Sequence, residues 1–219
     1  MQPKPRLLLA LGNLFIALAV NARARIADPL YQQVVESRPA VGDIVFTRLG
    51  GPIFSRVAET TASWTSHVGI IVDYRDGDWV VAESGVPVVR KTPLRRFLGR
   101  SVDQQFSIRR LPQEPSEGQK RAMLAFANSQ LGKPYALGFD LDSRRTFCSK
   151  FVHDAVYITT QQQIGEVETF EHLLHRNPSA PVGFWRVWFL GRIPLQRATI
   201  TPASELQSPL LNVVIEHTP

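Results

Sequence analysis

Apolar and polar positions alternate through the middle of the chain and pass to helical spacing in its second half. His67 to Tyr74 (HVGIIVDY) and Asp78 to Glu83 (DWVVAE) are rich in β-branched and aromatic residues and flank Arg75-Asp76-Gly77. An Asp-Gly pair between two such runs predicts a β-hairpin with a tight turn. Asp43 to Thr47 (DIVFT), Val86 to Arg90 and Gln104 to Leu111 (QQFSIRRL) predict further strands. Short helical pieces are expected at Ile53 to Thr61 and Leu94 to Leu98.

Ser116-Glu117-Gly118-Gln119 has the spacing of a capping box, serine followed three residues later by glutamine. Behind it Leu124, Ala127 and Leu131 share one helical face, and Gly132-Lys133-Pro134 stops the helix. A second helix is expected from Thr146 to Ile158, and the aromatic segment Phe184 to Leu190 (FWRVWFL) belongs in a core. Strands in the middle with helices segregated from them predict an α+β fold.

Composition narrows the class. A hydrophobic share of 44% and a charged share of 20% belong to a globular chain with a real core, which excludes disordered and collagenous types. The formal charge is +6, but no basic stripe is interleaved with aromatics, so a nucleic-acid partner is not expected. The charge supports only weak association with an anionic membrane or cell-wall surface.

Residues 1–24 stand apart. Lys4 and Arg6 precede an apolar run from Leu7 to Val20, and Ala22-Arg23-Ala24 follows, the pattern of an export signal. As a helix the run spans roughly 21 Å, short of a ~30 Å hydrocarbon core. Export places the protein in the periplasm or cell envelope. Gly12-Asn13 and Arg23 leave open an uncleaved membrane-surface anchor, with a membrane-associated or cytoplasmic domain.

Cys148 is the one cysteine, so it forms no internal disulfide and is either a small buried residue or a reactive thiol. From Asp142 to Val152 the chain moves from a polar loop into an apolar-periodic helix, which puts the thiol in the first turn. Unpaired N–H groups and the positive end of the helix dipole there favour thiolate, with a pKa of ~3.5–7.5 in place of ~8.5. His67 opens its strand. A lone strand histidine is equally served by a bond to a backbone carbonyl, but beside such a cysteine it takes the thiol proton and returns it to a leaving group. His153 lies about 140° around the helix from Cys148 and makes a poor partner. Glu168, His172 and His175 share a helical face that reads as solvated, and Asp76-Gly77-Asp78 lacks the further ligands of a calcium loop.

Together these motifs resemble a family. His-Val-Gly-Ile (67–70), Ala82-Glu83, Gly132-Lys133-Pro134-Tyr135 and Phe-Cys-Ser-Lys-Phe-Val (147–152) are similar to the circularly permuted NlpC/P60-type papain-like enzymes, most of all the YebB/YiiX-like group. In unpermuted relatives the cysteine comes first; here His67 precedes Cys148. The likeness runs from about Gly42 to Pro202. It implies a papain-like α+β fold, a small antiparallel sheet packed against helices, with a catalytic domain over 40–205 and a C-terminal tail over 206–219.

The resemblance also implies roles: Cys148 as nucleophile, His67 as base and Glu83 as the residue that orients the imidazole. An ideal two-residue turn sets Glu83 opposite Ile70, on the other face from His67, and a bulge would restore the face. Asp43 is the reserve orienter. Tyr135 either helps the Cys148 N–H to hold an oxyanion or simply packs on the domain. The implied reaction is acyl transfer or hydrolysis at an amide or ester of a cell-envelope peptide, without metal or organic cofactor. A lipid or acyl-amide substrate is the alternative, and a non-catalytic binding module of the same fold is the rival from another class.

Overall fold

The structure, a computed structural model, describes residues 25–219. The export or anchor segment therefore lies outside the described residues. An antiparallel sheet forms the middle layer. Its strands are β1 (Ile44–Leu49), β2 (His67–Arg75), β3 (Asp78–Ser84), β4 (Val89–Pro93), β5 (Ser101–Arg110) and, near the C-terminus, β8 (Asn212–His217), in the order β4-β3-β2-β1-β5-β8. Helices α1 (Asp28–Glu36), α2 (Pro52–Thr60), α3 (Leu94–Gly99), α4 (Glu117–Gln130) and α5 (Cys148–Thr160) are joined by three short ones, α6 (Phe170–Arg176), α7 (Val182–Trp188) and α8 (Pro202–Leu206). Glu168–Thr169 (β6) and Ala198–Thr199 (β7) form a two-stranded ribbon.

Alternation along the strands fills two cores. Ile44, Phe46, Val68, Ile70 and Ala82 pack with Met123, Phe151, Val152 and Val156 of α4 and α5. Val45, Ile71, Val81, Phe106 and Ile108 face the other way, against Tyr31 and Val34 of α1 and Phe97 and Leu98 of α3. With both faces covered, β2 is buried from His67 through Val72. A third, aromatic cluster of Tyr135, Phe139, Phe147, Phe170 and Trp185 gathers at the N-terminal end of α5.

The capping box forms as expected: Ser116 Oγ accepts from Gln119 N–H at 3.3 Å, and Gln119 Oε1 accepts from Ser116 N–H at 2.8 Å. The fourth strand begins at Val89, three residues later than the expected 86–90, because Pro87 has no N–H to give to a ladder. The expected helix from Thr146 starts at Cys148, since Thr146 is held in a parallel bridge to Tyr135. The segment 206–219 is more than a tail. It supplies β8, which pairs Ile215 with Ile108 and His217 with Phe106. Nor does the fold begin at residue 40: α1 buries Tyr31 and Val34, and the Arg25–Ile26 backbone lies against Gly99.

Candidate active site

The hairpin decides where Glu83 points. Asp76 (φ 55°) and Gly77 (φ 79°) form the two-residue turn that the sequence predicts, and Arg75 pairs with Asp78, Tyr74 with Trp79 and Asp73 with Val80. The register then shifts: Ile71 pairs with Val81 and Ile70 with Ala82, leaving Val72 as the extra residue of a bulge. One step further along this ladder Glu83 falls opposite Gly69, on the face of His67, not opposite Ile70. His67 Nε2 and Glu83 Oε2 are 2.7 Å apart, and neither side chain has solvent exposure.

Three further side chains fix the carboxylate. Glu83 Oε1 accepts from Thr92 Oγ1 at 2.7 Å, Arg100 Nη2 at 2.8 Å and Arg90 Nε at 3.1 Å. Burial alone would raise its pKa. The Arg100 charge, the His67 bond and Arg90 outweigh it and hold the carboxyl well below the ordinary glutamate value. Glu83 is therefore an acceptor only, so the hydrogen in the 2.7 Å bond belongs to His67 Nε2. Burial lowers the imidazole pKa against the opposing pull of Glu83, so His67 is neutral at neutral pH. Its Nδ1, the lone-pair nitrogen, is buried without a hydrogen-bond partner. The ring is wedged between Phe54 and Phe97, at centroid distances of 6.0 and 5.6 Å.

Asp43, the reserve orienter, is engaged elsewhere. It forms an ion pair with Arg110, at 2.6 and 2.8 Å, and accepts from Ala40 N–H. Arg90, Thr92 and Arg100 were not singled out in the sequence. Only the β3–β4 register, which sets Glu83 opposite Arg90, identifies the first of them.

Cys148 is the first residue of α5, with Phe147 extended at the N-cap and no side chain capping the helix. Its first-turn N–H groups are left for another acceptor. Tyr135 is brought alongside by the bridge to Thr146 and by Ala136 N–H donating to Thr146 C=O at 2.7 Å. Tyr135 Oη lies 3.7 Å from Cys148 Sγ. The thiol is not acidic at rest, contrary to what its helix position alone predicts. Burial pushes it up to about 11, offset in part by the Tyr135 hydroxyl and by the N–H groups of Ser149 and Val68, while Glu205 adds to the rise. Glu205 itself is fully buried with both oxygens unpartnered, and burial pushes its carboxyl well above the usual range.

Among the described residues no group of three or more His, Cys, Asp or Glu side chains is placed to hold a metal ion. The solvated helical face expected of Glu168, His172 and His175 does not form: Glu168 lies in β6, ahead of the helix, and is buried, bound to Arg176 at 2.7 Å and 3.6 Å from His172.

A helix-start cysteine against an antiparallel sheet, with the histidine strand preceding it in the chain, defines a papain-like fold in permuted order. The chain belongs to the permuted papain-like amidase family, YaeF/YiiX, C92, whose pattern matches residues 38–215. It is thus a papain-like cysteine-type hydrolase of the amidase kind. Among solved structures it is similar to the metalloprotein YiiX from Escherichia coli O157:H7, with a TM-score of 0.76 and 25% identity over 83% of this chain and 99% of that one. No curated protein matches the chain.

Proposed function

We propose that the protein cleaves an amide or ester through a thioester on Cys148, with His67 carrying the proton and Glu83 orienting His67. The observation that carries this reading is the buried His67–Glu83 bond, which leaves Nδ1 as a basic nitrogen with no other duty. Burial pushes the thiol up and the imidazole down, so the resting pair is neutral and a proton must pass from Sγ to Nδ1 for attack to occur. His67 Nδ1 takes the thiol proton and Sγ bonds to the carbonyl carbon. The Cys148 N–H and the Tyr135 hydroxyl hold the oxyanion. Collapse breaks the bond to the leaving group, which departs with the proton from Nδ1. Water then attacks the thioester, passing its proton through the same nitrogen, and the carboxylic acid leaves with the thiol restored.

With residues 1–24 read as an export signal, the substrate is an amide of a cell-envelope peptide. A second reading, an acyl-amide or lipid, is favoured by the apolar space beside Cys148, whose lining holds no Asp, Glu, Lys or Arg. Incubation with wall muropeptides and with N-acyl amides separates the two by which one releases amine. An acyl adduct on Cys148 in the mass spectrum, absent in Cys148→Ala, is expected with one of them. His67→Ala should slow release by on the order of 10²–10⁴-fold. Release that survives Cys148→Ala, or none from either substrate class, overturns the proposal.

A further inference from the structure

The run Phe184 to Leu190, which its aromatic content assigns to a core, is only half in one. Trp185 is buried against Phe139 and Phe170, with ring centroids 6.0 and 6.3 Å away. The other side of α7 is bare: Val187 is 78% exposed and Leu190, in the turn that follows, 96%. That turn has the hydrogen bonds of a Schellman motif, with Gly191 N–H donating to Arg186 C=O at 2.6 Å and Leu190 N–H to Val187 C=O at 3.2 Å. Glycine is usual where Leu190 stands, at φ 55°, because the left-handed conformation crowds a side chain. The chain thus holds a large apolar side chain out in water at a position where glycine would sit without strain. Trp188 is half-buried and donates Nε1–H to Leu137 C=O at 2.9 Å, which leaves its ring no polar group that needs water. Arg186 and Arg192 flank the tip, both exposed and in no ion pair among the described residues. From His172 to Ser204 the chain carries four arginines and no acidic residue.

We infer that the tip from Arg186 to Arg192 docks the protein on an anionic lipid bilayer. Val187, Trp188 and Leu190 enter the headgroup boundary, and the two arginines meet lipid phosphates. So few side chains fall far short of the roughly 20–30 residues a side of a stable protein interface. A protruding tip needs no shaped partner in a bilayer, whose boundary takes apolar side chains and favours tryptophan and arginine beside them. Charge acts in the same direction, since an anionic surface gains about fivefold in affinity from each nearby arginine. With seven residues α7 is too short to span a bilayer, so the tip inserts at the interface. Phe184 and Phe189 belong to the aromatic cluster at the N-terminal end of α5, so docking turns the Cys148 end of the molecule toward the lipid. The inference does not depend on the chemistry at Cys148.

A polarity-sensitive nitrobenzoxadiazole probe on the full chain tests the tip directly. It is attached at Leu190→Cys, and in a second protein at Gln113→Cys on the exposed loop before α4, both in Cys148→Ala so that no other thiol reacts. With vesicles of phosphatidylcholine and phosphatidylglycerol, the probe at 190 should shift to the blue and be quenched by doxyl-labelled lipid. The probe at 113 should stay in water. Vesicles of phosphatidylcholine alone, or high salt, should give a much weaker response at 190. Adding Arg186→Gln and Arg192→Gln should raise the lipid needed for half of the shift by about 25-fold, fivefold for each arginine. A probe at Val187→Cys should lose most of its shift when Leu190→Gly is added, while Tm stays at or above its former value because glycine relaxes the turn. A probe at 190 that stays in water with both kinds of vesicle, whether or not the protein sediments with them, overturns the docking tip. A blue shift that grows with protein concentration and needs no vesicles makes the tip an interface between copies, and overturns the lipid reading equally.

Discussion

Glu83 has no exposure and four partners, His67, Arg90, Thr92 and Arg100, so its charge serves both the histidine and the fold. Glu83→Gln keeps the shape but leaves Arg100, itself only 8% exposed, without its counter-charge. Breaking a buried pair in this way costs about 3–5 kcal/mol. The loss should depend on pH with a definite sign. The folded carboxyl titrates well below 4.5, so between those values the unfolded chain holds a proton that the native chain lacks. The Glu83 contribution is therefore full above about pH 4.5 and is lost as pH falls through the folded value. His67 acts in the same direction: its lowered pKa gives a contribution that is full above about 6.5 and shrinks as pH drops below. Urea unfolding between pH 3 and 7 should show wild type and Glu83→Gln converging in acid, and parallel curves would refute the linkage. The thiol offers a second check. With its pKa pushed up to about 11, Cys148 alkylation by iodoacetamide should climb about tenfold per pH unit through pH 9 without levelling. A plateau at neutral pH would mean a preformed thiolate, and the neutral resting pair would then be abandoned.

At the scale of elements, the β2–β3 hairpin brings His67 and Glu83 together, and it does so by two devices of unequal visibility. The Asp76-Gly77 turn is written plainly in the sequence. The bulge at Val72 is not, because β2 is buried on both faces and Val68 to Val72 reads as apolar in either register, with no polar position to mark the slip. Arg90 and Arg100 were hidden for a related reason: on a one-dimensional reading they are two among many surface arginines, and only register and α3 place them on Glu83. Cys148 stood out at a loop-to-helix transition, a local signal, whereas Tyr135 came into view only through the family resemblance carried by Gly132-Lys133-Pro134-Tyr135. Gly69 is the small residue this arrangement needs. An added Cβ would meet Val81 Cγ1 at 2.6 Å and Phe97 at 3.0 Å, the same Phe97 that packs on the His67 ring. Gly69→Ala should therefore destabilise by about 1–3 kcal/mol through overpacking. It should also cost activity beyond what stability explains, because Phe97 must shift against His67. Thermal melts with kcat measured well below the midpoint check this, and unchanged kcat would limit the effect to packing.

For the whole molecule, the outer strand and the first helix show how far the domain reaches past its motif-bearing middle. Neither was legible. Asn212 to His217 is a short run with exposed and half-buried positions, so its apolar pattern is faint, and its reason for being a strand is the free edge of β5. Without it, the ladder groups of β5 from Phe106 to Arg110 would face solvent, beside the Phe106 and Ile108 side chains of the second core. Leu211, 8% exposed and packed in the first core, anchors the segment on the other side of the sheet. Removing residues 211–219 should thus cost about 2–3 kcal/mol from Leu211 alone. That corresponds to a fall in Tm of roughly 5–10 °C. The bared edge of β5 should also raise light scattering on heating, because an unpaired strand recruits another chain. Leu211→Ala in the full chain separates the two effects: it should lower Tm while the edge stays covered and scattering stays low. If the truncated chain melts with wild type, β8 adds nothing to the sheet, and the domain ends near residue 205 as its sequence motifs imply.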